Sequence, residues 1–135
     1  AGFTLIELMV TLVIVAILSA VAIPAYTRYI QRGDLVEGTQ GLAQFRVQME
    51  QFYQDNANYG AAPACGVANP AGLVNFTFAC ISANAGQSYV ATMTGIGPVA
   101  GFQYTIDQGN NRATTALPAN WGALPANAGT SWVVR

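Results

Sequence analysis

The chain opens on an apolar run and ends on a neutral polar one. From Leu8 through Thr27 no residue is charged, and Leu8 to Leu18 is almost purely aliphatic. That is close to the ~20 residues a helix needs to cross a bilayer. Further on, Leu35, Gly38, Leu42, Phe45, Met49 and Phe52 recur at alternating spacings of three and four, with Arg46, Glu50 and Gln51 elsewhere on the wheel. Such spacing predicts an amphipathic helix with one buried stripe. Together the two patterns predict a single long helix, apolar over residues 1–33 and amphipathic over 34–55. Continuous from Phe3 to about Asp55, it would be roughly 80 Å long at 1.5 Å per residue, more than a bilayer requires. The surplus belongs to a head domain.

Two interruptions are expected. Pro24 lacks an amide donor and clashes with the carbonyl four residues earlier, which predicts a kink or local melting near Ala20 to Ile23. Asp34-Leu35-Val36-Glu37 has the form of a capping box and predicts a bend or restart.

After the helix, residues 56–72 are rich in Ala, Asn, Gly and Pro and read as a loop. Strand-like segments follow at 73–81, 88–94, 102–107 and 112–117, separated by Gly/Asn turns, and predict four antiparallel strands over 73–117. Gln108-Gly109-Asn110-Asn111 supplies residues that tolerate positive φ, as a tight hairpin requires. A tail over 118–135 completes a globular head of residues 34–135, held by packing through Trp121 and Trp132. The expected fold class is therefore α+β: a long N-terminal helix packed on a four-stranded antiparallel sheet.

Composition narrows the chemistry. The chain has 135 residues, 53% of them apolar, which excludes a mainly disordered protein. It contains no His and no Lys, which removes imidazole catalysis, Schiff-base chemistry and His-ligated metals. No paired carboxylates, nucleophile with base, or phosphate loop is seen in the head, so no enzyme, catalytic residue or cofactor is expected. Asp107 is the only acid after Asp55, too few for a charged calcium cage. The net charge of −1 leaves no excess of cations for phosphates, so nucleic acid is possible as a partner but unsupported by charge. Cys65 and Cys80 are 15 positions apart, neither a zinc pattern nor a C-x-x-C redox motif, and a disulfide in an oxidising compartment is the better reading.

Glu7 stands out, a carboxylate in apolar surroundings where an unpaired charge costs roughly 2.5 to 3.5 kcal/mol or more. It either reaches water at the headgroup boundary, or pairs with a positive group, such as the amino terminus of a neighbouring copy, when helices pack.

Gly2-Phe3-Thr4-Leu5-Ile6-Glu7-Leu8-Met9-Val10 resembles the N-terminal signature of type IV pilins, with a Gly before the processed bond, a Phe after it and a Glu four residues on. The resemblance implies cleavage by a prepilin peptidase after Gly2, N-methylation of Phe3, and a Glu7 that pairs with that terminus during assembly. Ala1 and Gly2 precede Phe3, although family processing would remove them; either leader residues are retained in the numbering or the subunit starts unusually. The resemblance also implies helix melting near Pro24 on entry into the filament, with Ala16 where Gly is often found. It implies a homo-oligomeric helical filament, with the inner membrane holding the unassembled subunit, a pilus assembly machinery as partner, and a final place in an extracellular pilus. Adhesion, twitching motility and DNA uptake share this architecture. The alternatives are a minor pilin acting as a binding module at the filament tip, and a type II secretion pseudopilin.

Overall fold

A computed structural model describes residues 2–134; Ala1 and Arg135, which the sequence reading touches, lie outside the described residues. Helix α1 spans Leu5–Asn56 as one element of 52 residues, about 78 Å long at 1.5 Å per residue. Thr4 opens it. Its hydroxyl accepts from Glu7 N while the Glu7 carboxylate accepts from Thr4 N, a reciprocal capping box. At the other end Ala57 adopts a left-handed conformation and donates to Tyr53 O at 2.7 Å.

Neither expected interruption breaks the helical run. The helix passes through Pro24 without a break. Proline removes a single hydrogen bond there, its fixed φ is helical, and the turns on either side are complete. It also passes through Asp34, because Glu37 is used elsewhere: its carboxylate accepts from the backbone N–H groups of Val74 and Asn75. The signature at 34–37 therefore anchors a distant loop instead of starting a helix.

The sheet is antiparallel in the order β1-β2-β3-β4, with β1 Phe76–Ala83, β2 Ser88–Gly95, β3 Gln103–Asp107 and β4 Arg112–Ala116. The first strand begins three residues later than the pattern predicts, since Val74 and Asn75 give their amides to Glu37. It also ends later, as pairing continues through Ser82↔Tyr89 and Ala83↔Ser88. The β3–β4 hairpin turns at Asn110, with φ of 60°, and Asp107 Oδ1 accepts from Gly109 N at 2.8 Å and Asn111 N at 3.0 Å. The turn residues expected from the sequence thus close around a carboxylate at the end of β3.

The core lies between one face of α1 and one face of the sheet. Leu35, Leu42, Phe45 and Met49 are buried against Phe76, Tyr89, Ala91, Met93, Tyr104 and Ile106; Phe52, the last member of the predicted stripe, is only half-buried. Gly38 and Gly41 let the layers approach. A methyl group at 38 would sit 2.7 Å from Phe76 Cζ, and one at 41 would sit 2.8 Å from Met93 Cε. Cys65 and Cys80 form a disulfide joining the loop to β1, a closure worth about 3 kcal/mol for a ring of this size. The tail is stitched to the sheet: Thr114 N donates to Ala128 O at 2.7 Å, Tyr104 Oη to Val133 O at 2.6 Å, and Trp132 Nε1 to Thr105 O at 2.9 Å.

Candidate assembly interface

Helix α1 changes character near residue 30. Its first half is bare: Leu12 is 61% exposed, Ile17 63% and Val21 71%, whereas Leu35 and Leu42 are fully buried. The difference follows from the fold, because the sheet and its loops reach only as far as Gln31, which donates to Pro98 O at 2.8 Å. Beyond Arg28, which still borders the C-terminal tail, the helix runs on toward its N-terminus with its apolar side chains exposed. The bare half is long and apolar enough to span a membrane.

Phe3 and Gly2 are exposed at the tip. Glu7 lies one turn in, and both Thr4 donors land on the same carboxylate oxygen: Thr4 N at 2.8 Å and Thr4 Oγ1 at 2.7 Å from Oε2. Oε1 accepts no hydrogen bond among the described residues. Glu7 is therefore half-satisfied within its own chain and keeps one oxygen open to a further donor. The T-x-x-E spacing of Thr4 and Glu7 carries this cap in the sequence itself; attention to Glu7 as an isolated charge passed over it.

Pro24 sits in the exposed half, away from the head, and Thr27 Oγ1 donates to Ile23 O at 3.0 Å beside it. Cys65 and Cys80 lie in the head, within the loop and β1. The six residues singled out from the sequence thus form three separate features: the helix tip, the proline turn and the head crosslink. Sequence reasoning missed the join between the halves. Trp121 Nε1 donates to Gln31 Oε1 at 3.2 Å and its ring meets Phe102 edge-on at 4.9 Å. A lone Gln and a distant Trp carry no local signal of that contact.

An apolar helix projecting from a small helix-on-sheet head defines a subunit that is incomplete alone. Residues 1–23 match the prokaryotic N-terminal methylation motif. Residues 24–115, more than half of the chain, match the family described as Type IV minor pilin ComP, DNA uptake sequence receptor. A fimbrial protein of Dichelobacter nodosus is 36% identical over 118 residues, covering 86% of this chain and 71% of that protein. A type IV major fimbrial protein, FimA, from the same organism is 41% identical over 86 residues, 62% of this chain and 53% of its own length. The solved structure of a type IV pilin from Shewanella oneidensis is similar at a TM-score of 0.47 and 16% identity, over 61% of this chain and 89% of that one. The chain belongs to the type IV pilin family and is a subunit of a type IV pilus.

Proposed function

We propose that this chain polymerises by burying the bare half of α1 among the same segment of many copies, leaving the head on the outside of an extracellular filament. The observation that carries the reading is the abrupt change along one helix, from a series of exposed apolar residues before Ile30 to a stripe of fully buried ones that begins at Leu35. Exposed apolar surface on this scale demands a partner. Before assembly the bilayer supplies it; afterwards, neighbouring helices do.

In this reading Gly2 precedes the bond cut by the prepilin peptidase and Phe3 is the N-methylated first residue. The open Oε1 of Glu7 receives the amino terminus of an adjacent copy, which offsets the cost of a buried carboxylate. Pro24 marks the turn that loosens on extraction from the membrane by the assembly machinery, since it already lacks one helical bond. No catalytic group is required.

The test is filament yield. Glu7→Ala is expected to leave membrane insertion unchanged and to reduce sheared filaments by at least about tenfold, and intact mass of the parent filament is expected to start at a methylated Phe3. Normal yield from Glu7→Ala would remove the pairing role.

A second reading, DNA capture, is favoured by the description of the family matching residues 24–115. Arg112, with its guanidinium 4.8 Å from the Trp132 ring centroid, is the cation it would use in the sheet. Filaments carrying Arg112→Gln that assemble normally yet retain less duplex DNA would support it, and unchanged retention would count against it.

A further inference from the structure

We propose that Arg28, Arg32 and Trp121 form a site for the phosphate of an anionic phospholipid headgroup, holding the unassembled subunit's head against the bilayer. The inference rests on the reading of the first half of α1 as a membrane span.

A cavity of about 240 Å³ opens where α1 leaves the head, lined by Arg28 and Arg32 from the helix and by Asn120, Trp121 and Pro125 from the tail. The two arginines are four positions apart, so they share a helix face and are separated by about 6 Å along the axis. No Asp or Glu lines this cavity, and neither arginine makes a salt bridge among the described residues. Asp34, the nearest acid in sequence, is two positions past Arg32 and projects from another side of the helix. Two guanidiniums with no salt-bridge partner among the described residues thus flank a space whose other walls are mostly apolar, with Asn120 and Trp121 among them, so the arginines supply the partners for phosphate oxygens.

The walls are held in place. Trp121 donates to Gln31 Oε1, Gln31 donates to Pro98 O, and the Trp121 ring packs edge-on against Phe102. Arg28 and Arg32 project from the same turns of α1 as Gln31, so the cation pair and the tail wall are registered by one side chain between them.

The depth of the site selects a lipid over a soluble phosphate. The uncharged run ends at Thr27, so a span ending there places Arg28 at the headgroups. Tyr26 and Tyr29 are 67% and 73% exposed at the same level, where aromatic side chains favour the membrane interface. The head and the arginines lie on the same side of the span, so a span ending at Thr27 puts the cavity at the level of the bilayer surface.

The experiment uses the full chain in neutral detergent and counts retained lipid by native mass spectrometry during titration with phosphatidylglycerol or phosphatidylcholine. Phosphatidylglycerol is expected to be retained at about tenfold lower concentration than phosphatidylcholine. The preference is expected to disappear in Arg28→Gln/Arg32→Gln, to survive in part in Arg28→Lys/Arg32→Lys, and to be unchanged in Arg46→Gln. Equal retention of both lipids by the parent, or a preference that persists in the double Gln variant, overturns the site. Inorganic phosphate or a short DNA duplex occupying the arginines at lower concentration than phosphatidylglycerol would also overturn it, by assigning the pair to a soluble anion or to nucleic acid. Flotation into phosphatidylcholine vesicles reads the span separately. A parent chain that does not float sinks the membrane reading and the site with it, whereas flotation without lipid preference sinks the site alone.

Discussion

Gly38 lies directly under the ring of Phe76, with three ring atoms between 2.7 and 2.9 Å from where a methyl group at 38 would stand. The helix and the first strand therefore meet at a point where nothing larger than hydrogen fits. Phe76 is buried and cannot swing into solvent without opening the core.

Gly38→Ala is expected to destabilise the head by about 1 to 2 kcal/mol, because the overpacking strain exceeds the helix propensity gained. Gly33→Ala, with no atom within 4 Å of the new methyl, is expected to stabilise by about 0.5 to 1 kcal/mol through propensity alone. Thermal melts of the full chain in detergent would show opposite shifts for the two variants. Shifts of the same sign would mean that the Phe76 contact yields easily.

Glu37 ties the loop to the helix by accepting from Val74 N and Asn75 N across more than thirty positions of sequence. Replacing it with Ala is expected to cost about 1.5 to 3 kcal/mol, the range for hydrogen bonds to a charged group. Amide exchange should accelerate first at Val74 and Asn75. Unchanged protection at those two amides would show that the loop is held by other means.

Two buried tyrosines differ in what their hydroxyls meet. Tyr104 Oη donates to Val133 O at 2.6 Å, while Tyr89 Oη has no hydrogen-bond partner among the described residues. Tyr104→Phe is expected to cost about 1 to 2 kcal/mol and to loosen the tail, whereas Tyr89→Phe is expected to be neutral or stabilising by up to about 1 kcal/mol. Denaturant midpoints compare them directly, and equal losses would contradict the difference in partnering.

Stability is expected to fall in alkali. Burial pushes the phenols of Tyr59, Tyr89 and Tyr104 above the ordinary tyrosine range, with the Glu50 carboxylate adding to the effect at Tyr59 and Tyr89. The unfolded chain loses these protons near pH 10 while the folded chain keeps them. The contribution is therefore complete below about pH 10 and is lost as pH rises above it. Melting temperature should be flat through neutral pH and drop beyond pH 10, less steeply in Tyr89→Phe. A drop already complete by pH 9 would have to come from other groups.

The architecture was legible in the sequence because each element carries a local period. The three-and-four spacing from Leu35 to Met49 marks the face that is buried, and the alternating strands with the Gln108 to Asn111 turn mark the sheet. The cysteine pair was legible by elimination. The capping-box form at Asp34 does not restart the helix, since a local rule cannot see that Glu37 accepts from the amides of a distant loop.

By itself the sequence determined the long helix, its apolar and amphipathic halves, the four strands, the crosslink and the terminal motif, all of which depend on neighbours within a few turns or on residue type alone. Tertiary structure decided the rest. It set where the head stops shielding the helix, which oxygen of Glu7 stays open, how Gln31 and Trp121 frame the paired arginines, and why Gly38 has no side chain. Those outcomes depend on contacts between residues tens of positions apart, and such contacts are chosen by packing and hydrogen-bond geometry that no local pattern records.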